Sequence, residues 1–116
     1  MEKPVFWMGD SYDNLISMPD AVQDEFGYAI GAAQLGGKAA SAKRMKRNLR
    51  DVMEVVDDED GDTYRAMYTV ELAERVYVLD CFKKKAKKGI ATPKRDLDRI
   101  EQRLNAAKRH YEENPP

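Results

Sequence analysis

The stretch that decides the fold runs from residue 63 to 82 and reads TYRAMYTVELAERVYVLDCF. Successive side chains of a strand point to opposite faces, and residues 63–70 carry an apolar or aromatic group at every second position. Residues 75–82 are almost continuously apolar, which is typical of a strand at the centre of a sheet. The polar segment 71–74 between them predicts a turn. We therefore expect a hairpin in which Arg65 lies on the face opposite Tyr64.

Further elements extend outward from this hairpin in both directions. The patterns predict a short strand, two helices separated by Pro19 and ended by Gly36-Gly37, a basic connector, a third strand and an acidic turn. They cover, in chain order, residues 4–8, 12–18, 19–35, 38–50, 52–56 and 57–62. With the hairpin and a last helix, the order is β-α-α-β-β-β-α. An antiparallel meander with helices before and after it predicts the α+β class.

The last helix is expected to begin at Thr92-Pro93, where threonine is a good N-cap and proline suits the first turn. Apolar residues then recur at helical spacing, so one stripe should pack on the sheet. These residues are Leu97, Ile100, Leu104, Ala107 and Tyr111.

The distribution of charge says more than its sum, which is −1 over 116 residues. Residues 38–50 carry six cations and no anion, and residues 82–95 carry seven cations and no anion. Such asymmetry predicts a local anion-binding surface, although a solvated loop is the plain alternative. The length predicts one domain, residues 1–116. No signal peptide or membrane span is evident, so we expect a cytoplasmic protein.

Metal and cofactor chemistry has little support in the sequence. One cysteine and one histidine, His110, cannot form a zinc cluster, and the acidic run 57–62 fails the register of a calcium loop. No phosphate loop, dinucleotide fingerprint or nucleophile elbow occurs. We therefore predict neither a metal nor a cofactor, and we interpret the acidic run as a hairpin turn.

The two basic blocks, residues 38–50 and 82–95, suit cleavage of RNA without a metal ion. That reaction needs a base for the 2′-hydroxyl, cations for the charge on phosphorus and an acid for the leaving oxygen. Glu54 or a lysine of lowered pKa are candidate bases, and Arg65 with nearby lysines is the candidate clamp. Tyrosines and His110 are candidates for stacking or proton transfer, but strand tyrosines more often pack in a core.

The chain resembles the phage-derived, HigB-like branch of the RelE/ParE toxin superfamily over about residues 4–108. Ordered motifs carry the resemblance: Met18-Pro19-Asp20-Ala21-Val22, Gly27-Tyr28-Ala29, Gln34-Leu35-Gly36, Ala42-Lys43, Met45-Lys46, Glu54, Tyr64-Arg65, Tyr68, Val76-Tyr77-Val78-Leu79, Phe82-Lys83-Lys84-Lys85 and Lys88-Gly89-Ile90-Ala91-Thr92-Pro93-Lys94.

This resemblance implies a RelE-like fold and the toxin of a type II toxin–antitoxin system. Its members cut mRNA in the ribosomal A site without metal, and a protein antitoxin neutralises them, here expected to be a HigA-like helix-turn-helix protein. The family's catalytic positions fall on Arg65, Lys83, Lys84 and Glu54. We also predict RNA contacts from the basic blocks, namely Lys43, Arg44, Lys46, Arg47, Lys85, Lys87, Lys88, Thr92 and Lys94.

One departure leaves two alternatives open. Many members carry an arginine two residues after the strand glutamate, where this chain has Val56. Lys85 or Lys88 could replace that phosphate contact. The ParE branch inhibits gyrase without cleaving RNA, so a gyrase-binding toxin is one alternative. The other is an inactive phage-derived module that binds RNA or protein.

Overall fold

The computed structural model describes residues 2–84 and 92–116. Five strands and three helices follow one another in the order β1, α1, α2, β2, β3, β4, β5, α3. Their bounds are Val5–Trp7, Ser11–Ile16, Asp20–Gln34, Ala42–Arg44, Met53–Glu59, Asp62–Thr69, Val76–Lys84 and Lys94–Glu113, with a 3-10 turn, Arg47–Leu49, between β2 and β3.

The five strands form one sheet in the order β1-β5-β4-β3-β2. The predicted α+β class is confirmed, but two details of the expected sheet were wrong. β1 pairs with β5 in parallel, so the sheet is mixed. Residues 42–44 of the basic connector form an edge strand that pairs antiparallel with β3. Hydrophobic periodicity contains no information about pairing direction, and β2 is too short and too polar to show a period.

The acidic run forms a hairpin, as predicted, but its turn is shorter than expected, because residues 57–59 extend β3 and Asp62 begins β4. Glu59 pairs with Asp62, which leaves Asp60 and Gly61 as the two turn residues, with φ of 51° and 83°. A two-residue turn with two positive φ angles matches the natural twist of a hairpin, and Asp-Gly is one of its preferred sequences. This turn fixes the register of β3 and β4, so Val56 lies directly opposite Arg65.

The sheet separates two hydrophobic clusters, one on each face. The first lies under α1 and α2 and includes Tyr64, Ala66 and Tyr68 of β4. The second lies under α3 and includes Met67 of the same strand. This confirms the predicted alternation along β4.

Helix α3 begins slightly later than expected. It starts at Lys94, so Pro93 rather than Thr92 occupies the N-cap position, and no side chain caps the helix. Proline here has the extended backbone of an N-cap residue, with ψ of 148°. The predicted apolar stripe is confirmed, because all five of its residues belong to the second cluster or pack against it.

A buried carboxylate anchors α3 to the sheet. Asp80 of β5 is 1% exposed, and its two oxygens accept hydrogen bonds from Arg99 Nε at 2.7 Å and Arg103 Nη1 at 3.0 Å. Arg103 also donates to Asp10 at 2.7 Å. These contacts fix α3 over β5 and leave the β3–β4 end of the same face open.

Candidate nucleic-acid interface

A groove of about 730 Å³ lies at this open end of the sheet. Its floor comes from β3 and β4, one wall from residues 43–49, and the other from the start of α3. The lining residues are Lys43, Arg44, Met45, Lys46, Arg47, Asn48, Leu49, Glu54, Arg65, Thr92, Lys94, Leu97, Asp98 and Glu101. Six of these side chains are cationic and three are acidic, so the groove is positive on a nearly neutral chain.

Arg65 and Glu54 form an ion pair on the floor of the groove. They lie on adjacent strands, and Arg65 Nη1 donates to Glu54 Oε2. Their side chains are 14% and 21% exposed. Arg65 Nε is buried and has no hydrogen-bond partner among the described residues. A buried donor without an acceptor is costly, so the position of Arg65 is not explained by its hydrogen bonds within the fold.

Lys84 adds a second cation beside this pair. It lies at the end of β5, two residues beyond Phe82, the cross-strand partner of Arg65, and it is 6% exposed. Burial lowers the pKa of Lys84, and the positive charge of Arg65 lowers it further, while Glu54 opposes the shift. The structure therefore places one predicted clamp residue where its ammonium group loses its proton more easily than usual.

Lys83 lies on the other face of β5, because neighbouring strand residues point in opposite directions. Its side chain is 52% exposed, and Nζ lies 3.1 Å from Asp62 Oδ2. The hydrogen bond to Asp62 raises the pKa of Lys83. It lines a different pocket, beside Tyr64 and Cys81, and is absent from the groove. The two adjacent lysines predicted to act together are thus separated by their strand.

The two basic blocks meet at the groove. Lys43, Arg44, Lys46 and Arg47 come from the first block, and Thr92 and Lys94 from the second. A hydrogen bond from Asn48 Nδ2 to Glu101 Oε2 joins the two walls. The predicted contacts Lys85, Lys87 and Lys88 lie outside the described residues.

The tyrosines and His110 lie away from the groove. Tyr68 and Tyr77 are buried in the two cores. His110 Nδ1 lies 2.9 Å from the Tyr77 hydroxyl, near the far end of α3. Arg75 stacks between the rings of Phe6 and Tyr111 at 5.0 and 5.1 Å from their centroids. These residues consolidate the core, which supports the packing interpretation of the tyrosines.

Several groove residues were not singled out from the sequence as site residues. Leu97 was predicted only as part of the apolar stripe of the last helix. Met45 and Leu49 belong to the basic connector, in which only the cations were predicted to bind RNA. Asn48 and Glu101 had no signal that distinguished them from other surface residues, although Glu101 lies one helical turn after Leu97.

Neither a metal site nor a membrane-spanning helix is found in the part of the chain that the structure describes. No group of three or more histidine, cysteine or acidic side chains is placed to hold a metal ion there. Residues 2–84 and 92–116 also contain no helix long and apolar enough to cross a bilayer.

Comparison with known proteins agrees with the fold. The family model described as Phage derived protein Gp49-like matches residues 13–105. The structure is similar to that of E. coli toxin RelE in the free state, in a mutant with two arginines replaced by alanine. The TM-score is 0.63 at 12% identity, and the match covers 90% of this chain and 99% of that chain.

The Mycobacterium tuberculosis toxin–antitoxin complex RelBE2 is a more distant match, with a TM-score of 0.48, 17% identity and coverage of 70% and 96%. No curated protein matches the chain by sequence.

Proposed function

The chain belongs to the family of phage-derived Gp49-like proteins, and on that premise we propose that it is the toxin of a type II toxin–antitoxin pair. Its activity is cleavage of mRNA on the ribosome without a metal ion. Its partner is an antitoxin, a HigA-like helix-turn-helix protein. The similarity of the fold to that of E. coli toxin RelE supports this assignment.

One observation carries the proposal: Arg65 and Glu54 lie on the floor of a groove that two basic segments border, and Lys84 lies close enough for both of their charges to shift its pKa. Lysine and arginine neutralise RNA phosphates and supply most of the affinity that does not depend on sequence. Six cations against three carboxylates leave an excess positive charge in the groove. A phosphate diester matches that charge.

The chemistry follows from these three side chains. A neutral Lys84 amine removes the proton of a 2′-hydroxyl, and the resulting oxygen attacks the adjacent phosphorus. Arg65 stabilises the charge that accumulates on the phosphoryl oxygens. The bond to the 5′-oxygen breaks and that oxygen takes up a proton from water, while the Lys84 ammonium returns its proton to solvent, which leaves a 2′,3′-cyclic phosphate and a 5′-hydroxyl end. Glu54 orients Arg65.

This assignment accounts for the apolar residue opposite Arg65. Val56 offers no charge on the β3 side. Lys84 extends from β5 instead, on the other side of β4, and becomes a cation once it has taken the proton of the 2′-hydroxyl. In this proposal Lys83 has no role in the groove, since its partner is Asp62.

The test is induction of the wild type and of single variants in a bacterial host, with mapping of new 5′-hydroxyl ends in mRNA. We expect Arg65→Ala and Lys84→Ala each to reduce cleavage by about 100-fold, as is typical when one charge-stabilising group is lost. Lys83→Ala is the matched control and should stay toxic. Circular dichroism of each purified variant checks that it folds.

Other outcomes contradict the proposal. Undiminished cleavage by both Arg65→Ala and Lys84→Ala would place the site elsewhere. Growth arrest with intact mRNA and a DNA-damage response would indicate a gyrase-directed toxin. Harmless expression of the folded wild type would indicate an inactive binding module.

A further inference from the structure

The groove contains a feature that phosphate binding does not explain, namely the environment of Glu101. Its neighbour Asp98 is neutralised by Lys94, with 2.9 Å between Nζ and Oδ2. Glu101 has no ion-pair partner among residues 2–84 and 92–116, and it accepts a hydrogen bond from the Asn48 amide. A carboxylate that lines a cationic groove without a cation of its own repels phosphate. It is therefore suited to a different part of a nucleotide.

The surroundings of Glu101 are apolar on the groove side. Leu97 lies one turn earlier on the same face of α3, and Met45 lies on the facing wall. Both side chains are partly buried against the second core cluster, so their outer surfaces line the groove. Proteins that take up an unstacked base hold it between aromatic or apolar side chains, and Met45 and Leu97 offer apolar side chains of this kind.

We propose that Glu101 reads guanine in a base subsite formed with Met45 and Leu97, next to the phosphate site at Arg65. This rests on the proposed function. An ionised carboxylate only accepts hydrogen bonds. Guanine presents two adjacent N–H donors on its Watson–Crick edge, N1–H and the N2 amino group, which match the two oxygens of a carboxylate. Adenine, cytosine and uracil each place an acceptor beside their donor, and that acceptor repels Glu101.

Asn48 positions Glu101 in this arrangement. Its amide donates to Oε2, and a carboxylate has about four lone-pair sites, so both oxygens keep capacity for a base. The same hydrogen bond holds the wall of residues 43–49 against α3. The subsite is thus assembled from two segments that are distant in sequence.

The experiment measures binding of the full chain to fluorescent RNA hexamers by anisotropy. Each hexamer is uridine except for one central guanosine, inosine, adenosine, cytidine or uridine, and every 2′-hydroxyl is methylated so that cleavage cannot occur. We expect the guanosine hexamer to bind about tenfold more tightly than the adenosine, cytidine or all-uridine hexamers, the scale of a good bidentate contact. The inosine hexamer, which lacks the N2 amino donor, should fall between them.

Glu101→Gln should abolish this preference for guanosine, because the amide replaces one acceptor by a donor. Asp98→Asn removes the same charge from the same groove and should strengthen binding to all five hexamers alike, with the preference intact. Equal wild-type affinity for the four standard bases, or a guanosine preference that survives in Glu101→Gln, would overturn the base subsite alone. Failure of the wild type to bind any hexamer would also overturn the base subsite, whereas the proposed function is overturned separately, by the absence of new 5′-hydroxyl ends in mRNA after induction.

Discussion

Lys83 and Lys84 are neighbours in the chain, and their ammonium groups experience opposite environments. The pKa of Lys84 is lowered by burial and by Arg65, whereas the pKa of Lys83 is raised by its hydrogen bond to Asp62. The reason is the geometry of the strand, which turns one side chain into the protein beside the groove and the other toward solvent. At the scale of single residues, this difference decides which lysine can act as a base.

The two lysines should therefore contribute to stability with opposite dependence on pH. For Lys84 the folded pKa lies below the unfolded value, so its charge destabilises the fold at neutral pH and this cost disappears as pH rises toward 10.5. For Lys83 the folded pKa lies above 10.5, so its stabilisation is complete at neutral pH and is lost as pH rises past that value.

The measurement is urea unfolding of the wild type, Lys84→Met and Lys83→Met between neutral pH and about 11, the range set by the reference lysine pKa. Subtraction of each variant from the wild type cancels the other titrating groups. The difference for Lys84 should increase with pH and that for Lys83 should decrease. Two differences of the same sign would show that the pair does not have the environments described here.

At the scale of elements, the position of α3 determines the groove. Asp80 joins β5 to Arg99 and Arg103 of the helix, and only the part of the sheet beyond this contact stays open. Without the contact, the wall that carries Leu97 and Glu101 would have no fixed distance from the floor. Asp80 therefore lies outside the groove, but its contacts with α3 help to set the width of the groove.

Replacement of Asp80 should be more costly than replacement of Asp10, although both carboxylates bind Arg103. Asp80 is 1% exposed and Asp10 is 58% exposed. Asp80 accepts hydrogen bonds from two arginines that are themselves partly exposed, so its loss should cost about 1–3 kcal/mol, whereas an exposed pair contributes about 0–1 kcal/mol. Chemical denaturation of Asp80→Asn and Asp10→Asn measures both. Equal losses would indicate that the buried contact does not hold α3.

At the scale of the whole molecule, the net charge does not indicate that the chain has a cationic groove. The chain sums to −1, because acidic residues such as those of the β3–β4 turn lie elsewhere. Four of the six groove cations are already neighbours at residues 43–47, and folding adds Arg65 and Lys94 to them. A protein of this kind attracts a polyanion at one place and has little attraction for it over the rest of its surface.

RNA binding should accordingly weaken with salt, to an extent set by the groove. For single strands the slope of log K against log salt concentration is about −0.7 for each phosphate neutralised. Lys43→Ala combined with Arg47→Ala should reduce the magnitude of that slope by about 1.4 in the 2′-methylated hexamer assay. Lys108→Ala, an exposed cation outside the groove, is the control. A slope unaffected by the double variant would place RNA elsewhere on the protein.

The sequence by itself determined what depends on local spacing. The alternation along residues 63–70 fixed which side chains of β4 face each core, and it placed Arg65 opposite Tyr64. The apolar stripe that ends at Tyr111 fixed the buried face of α3. The Asp-Gly turn fixed the β3–β4 hairpin. Each of these rests on a period or a backbone preference contained within a few residues.

Only the tertiary structure decided which distant segments share a site. That β1 pairs in parallel with β5, that residues 43–49 face the start of α3, and that Lys83 lies outside the groove all depend on strand order and register. The environment of Glu101 depends on them too, because its hydrogen-bond partner Asn48 lies more than fifty residues away in the sequence. Contacts over such separations are set by the packing of the whole sheet, which no local pattern encodes.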